Sequence, residues 1–242
     1  IAPVLEHDRC GLWMTATLTH EGSWLSRLSS SVAYEVLSFE GPHVTVTRPG
    51  SGGPQLHGHV LVHRSQMLEG DVTTFKGIPI TTPARTLADI APIVSDRALR
   101  RAVREAVRLR HITLPELGDA LGRYRGRRCI RKLAATVARY AGLPIERARS
   151  GTEVRAMEIL RAAGGTMPRL NVVVAGEEAD LSWPAHRLIV EIDGDPFHLD
   201  KGEDARKEKA WREAAWTVKR IPADDVDHRP HRLLALSPPN VA

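Results

Sequence analysis

The spacing of hydrophobic and polar positions changes several times along the chain. Residues 43–49 (HVTVTRP) and 55–64 (QLHGHVLVHR) alternate as half-buried strands do, with GSGG at 50–53 as the turn or loop between them. Residues 24–39 (WLSRLSSSVAYEVLSF) carry apolar side chains near helical spacing and predict a short helix. Residues 72–91 predict a small hairpin running into a helix, with Thr82 as N-cap and Pro83 at the first helical position. In that helix Arg85 and Asp89 form an i,i+4 pair. Residues 95–110 place Ala98, Leu99, Ala102, Val103, Ala106 and Val107 on one side of a helix and arginines on the rest. Two further short helices are expected, at 113–122 capped by Thr113 and at 125–142 ending at Gly142.

LPIERARS at 143–150 reads as a boundary, and the pattern changes after it. A helix over 150–165 starts with Ser150 and Glu153 at capping-box spacing. A strand at 169–176 follows, then two strands within 177–194 joined around Pro184-Ala185. A charged helix at 203–215, a strand at 216–221 and a short helix at 228–236 complete the order α-β-β-β-α-β-α. The class is α/β, α+β overall, in two domains, 1–149 and 150–242. Trp183, Trp211 and Trp216 are expected in the core around the second sheet.

Charge changes this picture. Residues 100–149 carry fourteen basic and four acidic side chains, whereas the segments on either side are each slightly acidic. The helical segment therefore holds all the excess positive charge, which attracts phosphate backbones without sequence reading. Arg100, Arg101, Arg104, Arg108, Arg125, Arg127, Arg128, Arg131 and Lys132 are the candidate DNA contacts, duplex DNA being the expected partner. A scaffold whose arginines only face water fits the same pattern. Cys10 and Cys129 are too few for a disulfide framework or a Cys-rich zinc site. His57, His59 and His63 lie at odd positions of the expected 55–64 strand, where a hydrogen-bonded or solvated face is favoured over a metal site. No apolar run approaches the ~20 residues of a membrane span and no signal segment is evident, so a cytoplasmic protein without a membrane partner is the expectation.

The stretch VEIDGDPFH at 190–198 holds the sharpest chemical signal. Side chains alternate across a strand, so Glu191 and Asp193 share a side. A register centred between residues 185 and 186 puts Asp180 across from Glu191, and three carboxylates then converge at one sheet edge. Uncompensated, they repel and raise one another's pKa; a divalent cation removes that cost. Hard oxygen ligands favour Mg²⁺ or Mn²⁺.

The ordered set S-x-x-E (150–153), A-D-L-S-W-P (179–184), V-E-I-D-G-x-x-F-H (190–198), D-x-x-K-E-x-x-W (204–211) and A-W-T-V-K-R (215–220) resembles the nuclease-fold domains related to very-short-patch repair endonucleases, within the PD-(D/E)XK superfamily. The likeness spans about residues 150–236. H-V-L-V-H-R (59–64) and G-I-P-I-T-T-P-A-R-T-L-A-D-I-A (77–91) resemble the region preceding such a domain in proteins with an abortive-infection antitoxin-like N-terminus. The resemblance implies a restriction-endonuclease-like αβββαβ mixed sheet behind a small β-plus-helical domain. It places Asp180 and Glu191 at the metal-binding acids, Glu153 at the helix acid that orients a metal-bound water, and Lys207 and Glu208 at a basic–acidic pair. Asp193 stands where the wider superfamily has lysine, and His198 falls at the histidine of the very-short-patch-like branch. Ala215 replaces a usual glycine and Lys219 a usual apolar residue. The implied activity is metal-dependent DNA cleavage in repair, restriction or phage defence, with a protein partner in a defence or toxin–antitoxin system left open. Two other readings remain: an antitoxin-like DNA-binding regulator whose nuclease-fold domain is inactive, and an interaction domain that binds no nucleic acid.

Overall fold

The computed structural model describes residues 2–66, 70–194 and 201–239, which fall into two compact units, Ile1–Ala141 and Gly142–Ala242. Residues 142–149, expected in the first domain, belong to the second. Leu143 and Ile145 are buried there, and the side-chain amide of Asn171 donates to the Arg147 carbonyl at 2.8 Å. The protein is mixed α and β throughout.

The first unit begins with α1 (Ala2–Thr19), then β1 (Trp24–Leu25), α2 (Arg27–Ala33), β2 (Val44–Pro49), β3 (Gln55–His57), β4 (Val60–Ser65), β5 (Val72–Phe75) and β6 (Ile78–Thr81). The strands form one sheet in the order β3-β4-β2-β1-β6-β5. The single helix expected over 24–39 is instead a short strand followed by two helical turns. Leu25 is taken into the sheet, between Val46 and Ile80. The serines of α2 turn inward, Ser29 Oγ accepting from the Thr45 N–H at 2.8 Å and from the Thr45 hydroxyl at 3.1 Å. The strand expected over 55–64 is a hairpin, because Gly58 adopts a left-handed φ of +57° that turns the chain. His57 and His63 therefore lie on different strands with His59 in the turn, and the three do not line one face.

Four helices follow: α3 (Pro83–Ile90), α4 (Asp96–Arg108), α5 (Leu114–Arg123) and α6 (Ile130–Tyr140). Thr82, Ser95 and Thr113 cap the first three through their hydroxyls, and Thr113 with Glu116 completes a capping box. Leu99, Ala102, Val103, Ala106 and Val107 of α4 are all buried, as the spacing predicts. The last helix starts five residues later than expected, because Gly126 and Cys129 both have positive φ. Arg125, Arg127 and Arg128 thus lie in the turn ahead of it. A buried charge network holds the unit together. Arg85 is 1% exposed and pairs with Asp71 and with Asp89, the latter at 2.8 Å. Its guanidinium also donates to Ser65 at 2.9 Å, while Tyr124 donates to Asp71 at 2.9 Å. Buried charges persist only when paired in this way.

The second unit comprises α7 (Gly151–Ala162), β7 (Arg169–Val174), β8 (Glu177–Trp183), β9 (Leu188–Asp193), α8 (Lys201–Glu213), β10 (Thr217–Pro222), α9 (Ala223–His228) and α10 (Pro230–Leu236). Its sheet has the order β10-β9-β8-β7, with β9 and β10 parallel and the other neighbours antiparallel. Helices α7, α9 and α10 pack on one another, and α8 packs on β8 and β10. Trp211 of α8 is fully buried against Ile189, Ala179 and Val174, with Trp216 against the same cluster, and Trp183 is buried as well. Helix α8 ends in a left-handed residue, Ala215 at φ +60°, with the Trp216 N–H bonded to the Trp211 carbonyl and the Ala215 N–H to that of Arg212. That is the helix stop that glycine usually makes. No helix among the described residues is long and apolar enough to cross a membrane.

Candidate active site

Strands β8 and β9 pair Leu181 with Val190, Ser182 with Ile189 and Trp183 with Leu188. This is the register centred between residues 185 and 186, so its continuation sets Asp180 across from Glu191. There the backbone ladder gives way to side chains. The Asp180 N–H donates to Glu191 Oε1 at 3.0 Å, and the Ile192 N–H donates to Asp180 Oδ2 at 2.8 Å. Each carboxyl thus keeps one oxygen, Asp180 Oδ1 and Glu191 Oε2, that takes no hydrogen bond from the described residues.

Burial is the main force on both groups. It pushes the Asp180 carboxyl up to about 6, against the Ile192 N–H, with the charges of Glu153 and Asp193 adding to the rise and Lys207 opposing it. It pushes Glu191 up to about 7, helped by the charge of Asp180 and opposed by the Asp180 N–H, Arg220 and Lys207. The pair is therefore a desolvated, mutually repelling set of hard oxygen donors.

Glu153 approaches from the start of α7. Ser150 caps the helix by accepting from the Glu153 N–H at 3.2 Å. The Glu153 carboxylate, though, is held by the Arg149 N–H at 2.9 Å and by the Asn171 side-chain amide at 2.6 Å. Asn171 sits across from Asp180 on β7 with a left-handed φ of +48°, a conformation that asparagine tolerates better than most residues. Glu153 is thus both a capping residue and a near neighbour of Asp180.

Ile189, Glu191 and Asp193 alternate onto one face of β9, the face that packs on Trp211 of α8. Asp193 does not join the acid pair. Its carboxylate accepts from Arg220 Nη1 at 2.7 Å. Arg220 stands in register with Glu191 across β9 and β10, and its other nitrogens approach Asp204 at 3.7 Å and Glu208 at 3.9 Å on α8. Burial lowers the Arg220 pKa, but Asp193 and the other acids more than offset this and hold it charged. Lys207, on the same helix, bonds Glu203 at 3.2 Å while its charge acts on both members of the pair. His198 lies outside the described residues.

Among the described residues, no group of three or more His, Cys, Asp or Glu side chains is arranged to hold a metal ion. The three-carboxylate convergence expected from sequence reduces to two, because Arg220 takes the third. Two carboxylates, each with an oxygen that no described residue bonds, still fit Mg²⁺ or Mn²⁺, which commonly take one or two protein carboxylates and fill the rest of their sphere with water and phosphate oxygens. Sequence reasoning missed Arg220 and Asn171. The first sits within the A-W-T-V-K-R motif, where only the parallel register reveals its partner.

In the first unit, Arg101, Arg125, Arg128 and Arg131 are exposed. Arg104 and Arg108 share Glu105 at 3.1 and 2.7 Å, and Arg100 is half-buried. Arg127 lies over the Tyr124 ring at 5.5 Å and pairs with Asp89 at 3.1 Å. Lys132 bonds the Val94 carbonyl at 2.5 Å and Asp96 at 3.1 Å. The last two brace the helices. No protein-family profile matches the chain, and no curated protein matches it either.

Proposed function

We propose that the protein is a metal-dependent DNA endonuclease that hydrolyses phosphodiester bonds. The observation that carries this reading is the Asp180–Glu191 pair: two desolvated carboxyls in register, each with one oxygen that takes no hydrogen bond from the described residues, at a place where acids without a cation cost stability. Asp180 and Glu191 would hold Mg²⁺ or Mn²⁺. An ion bound there polarises a phosphate and lowers the pKa of a water. Glu153, its carboxylate held by the Arg149 N–H and Asn171, would orient a water beside Asp180. Lys207 offsets negative charge gathered at the phosphate. The resemblance gives His198 the role of proton carrier. Arg101, Arg125, Arg128 and Arg131 supply exposed cations for the DNA backbone.

The alternative, an antitoxin-like regulator with an inactive nuclease-fold domain, draws on one observation: Asp193 is engaged by Arg220 at a position where the wider superfamily carries lysine. Cleavage of supercoiled plasmid and of single-stranded DNA with Mg²⁺ or Mn²⁺ separates the two. The nuclease reading expects cleavage that Asp180→Ala and Glu191→Ala each abolish while DNA binding is kept. Salt-sensitive binding without cleavage by the wild type favours the regulator.

A further inference from the structure

Arg220 stands where β9, β10 and α8 meet. Its backbone is paired with Glu191 in the parallel ladder, so its side chain rises beside the acid pair. From there it takes Asp193 at 2.7 Å and reaches Asp204 and Glu208, one helical turn apart on α8. Lys207 lies between those two acids in sequence on α8, which packs on β8, the strand that carries Asp180; it bonds Glu203 at 3.2 Å, and its charge opposes the rise at both Asp180 and Glu191.

We propose that Arg220 is a positioning residue for the acid pair: it withdraws Asp193 from the cation set and ties α8 to the end of β9, so that Lys207 faces Asp180 and Glu191. The inference rests on the nuclease reading. Two separable effects follow, one at Asp193 and one at α8. A released Asp193 shares a strand face with Glu191 and becomes a third hard ligand. A released α8 carries Lys207 away from the site of phosphate charge.

The test uses the full chain, with Mn²⁺ as the probe. Free Mn²⁺ is counted by electron paramagnetic resonance, and plasmid nicking gives kcat and KM. Arg220→Gln is expected to bind Mn²⁺ at least roughly threefold more tightly, since affinity rises with the number of charged ligands. Its kcat is expected to fall at least about tenfold with KM nearly unchanged, as misplacement of a group at the reacting centre does. Adding Asp193→Asn to Arg220→Gln returns Mn²⁺ affinity to the wild-type value and leaves kcat low; affinity that stays tight would instead trace to the lost guanidinium charge and overturn the Asp193 effect. The pair Asp204→Asn with Glu208→Gln keeps Arg220 on Asp193, so it lowers kcat at unchanged Mn²⁺ affinity, and it serves where Arg220→Gln folds poorly. Arg220→Lys recovers part of kcat. Wild-type Mn²⁺ affinity and kcat in these variants overturn the inference. Wild type that binds Mn²⁺ but cleaves nothing counts against the nuclease reading alone, and the Mn²⁺ comparison still decides the Asp193 effect.

Discussion

Asp180 and Glu191 exchange their hydrogen bonds crosswise: the Asp180 N–H goes to the Glu191 carboxylate, and the Asp180 carboxylate takes the N–H of the residue after Glu191. Two antiparallel strands that pair normally through Leu181 and Val190 thereby part at their ends, with acidic side chains filling the gap. This arrangement is held at a cost, because both carboxyls are desolvated and lie together.

That cost is measurable. At pH 8 Glu191→Gln removes a buried charge and keeps an oxygen to accept from the Asp180 N–H. The metal-free protein is expected to gain about 1–3 kcal/mol, since each tenfold change in a carboxyl's proton affinity on folding is worth ~1.4 kcal/mol. Denaturant unfolding of both proteins in chelator checks it; a loss of stability in the variant would mean that the pair is structural.

The pH dependence has opposite signs in the two units. The folded acid pair titrates above the usual carboxylate range, at about 6 and about 7. Its contribution is present below the unfolded value near ~4 and is lost as pH rises through those points. His63 goes the other way: burial and then the charge of Arg27 hold it down to about 4. Its contribution is present above the unfolded value of ~6.5 and is lost as pH falls through the folded one. Hydrogen exchange in metal-free protein resolves each unit. Between pH 4.5 and 6.5 the first unit should gain protection, and His63→Gln should flatten that gain.

Arg85 tests the core of the first unit. Arg85→Met leaves Asp71 and Asp89 buried with one fewer cation, which costs about 3–5 kcal/mol when a buried pair loses one partner. Thermal melting should show the first unit unfolding early; a melting point within a few degrees of wild type would reject the network as a stabilising element.

The Ala215 position joins sequence and structure directly. The chain there is left-handed at φ +60°, a conformation that glycine takes without strain. Ala215→Gly removes a strain of ~1–2 kcal/mol, less the ~0.4–1 kcal/mol that glycine adds to the freedom of the unfolded chain. A small rise in melting temperature is expected, and a fall would show that the methyl group packs better than it strains.

The basic residues of the first unit divide into exposed ones, which the proposed function assigns to DNA, and ones that brace the helices. Removing Arg101, Arg125, Arg128 and Arg131 together should flatten the salt dependence of DNA binding, by up to about 0.9 in slope for each lost phosphate contact. Arg127→Ala and Lys132→Ala should lower the melting point of the first unit instead, because their cationic ends are bonded to Asp89 and Val94. Equal effects of all six on the slope would contradict this division.

Local signals carry much of this architecture. Thr82, Thr113 and Ser150 mark their helices by side-chain capping, and the Pro184-Ala185 connection fixes the register that brings Asp180 to Glu191. Capping and tight turns act over a few residues, so a single sequence displays them. The Arg220–Asp193 pair depends on a parallel pairing across helix α8, which leaves no local trace. Helix α1 gives no clear signal because its apolar residues form no single stripe. The hairpin at Gly58 is hidden because alternation continues through the turn.

The most direct test of the central claim is calorimetric titration of Mn²⁺ into metal-free protein, in buffers of different ionisation heat at pH 6.5 and pH 8.5. Carboxyls that titrate near about 6 and about 7 must lose protons when they take a cation. The account predicts binding with proton release at the lower pH and little release at the higher, lost in both Asp180→Asn and Glu191→Gln. No binding, or binding that survives both substitutions, would contradict it.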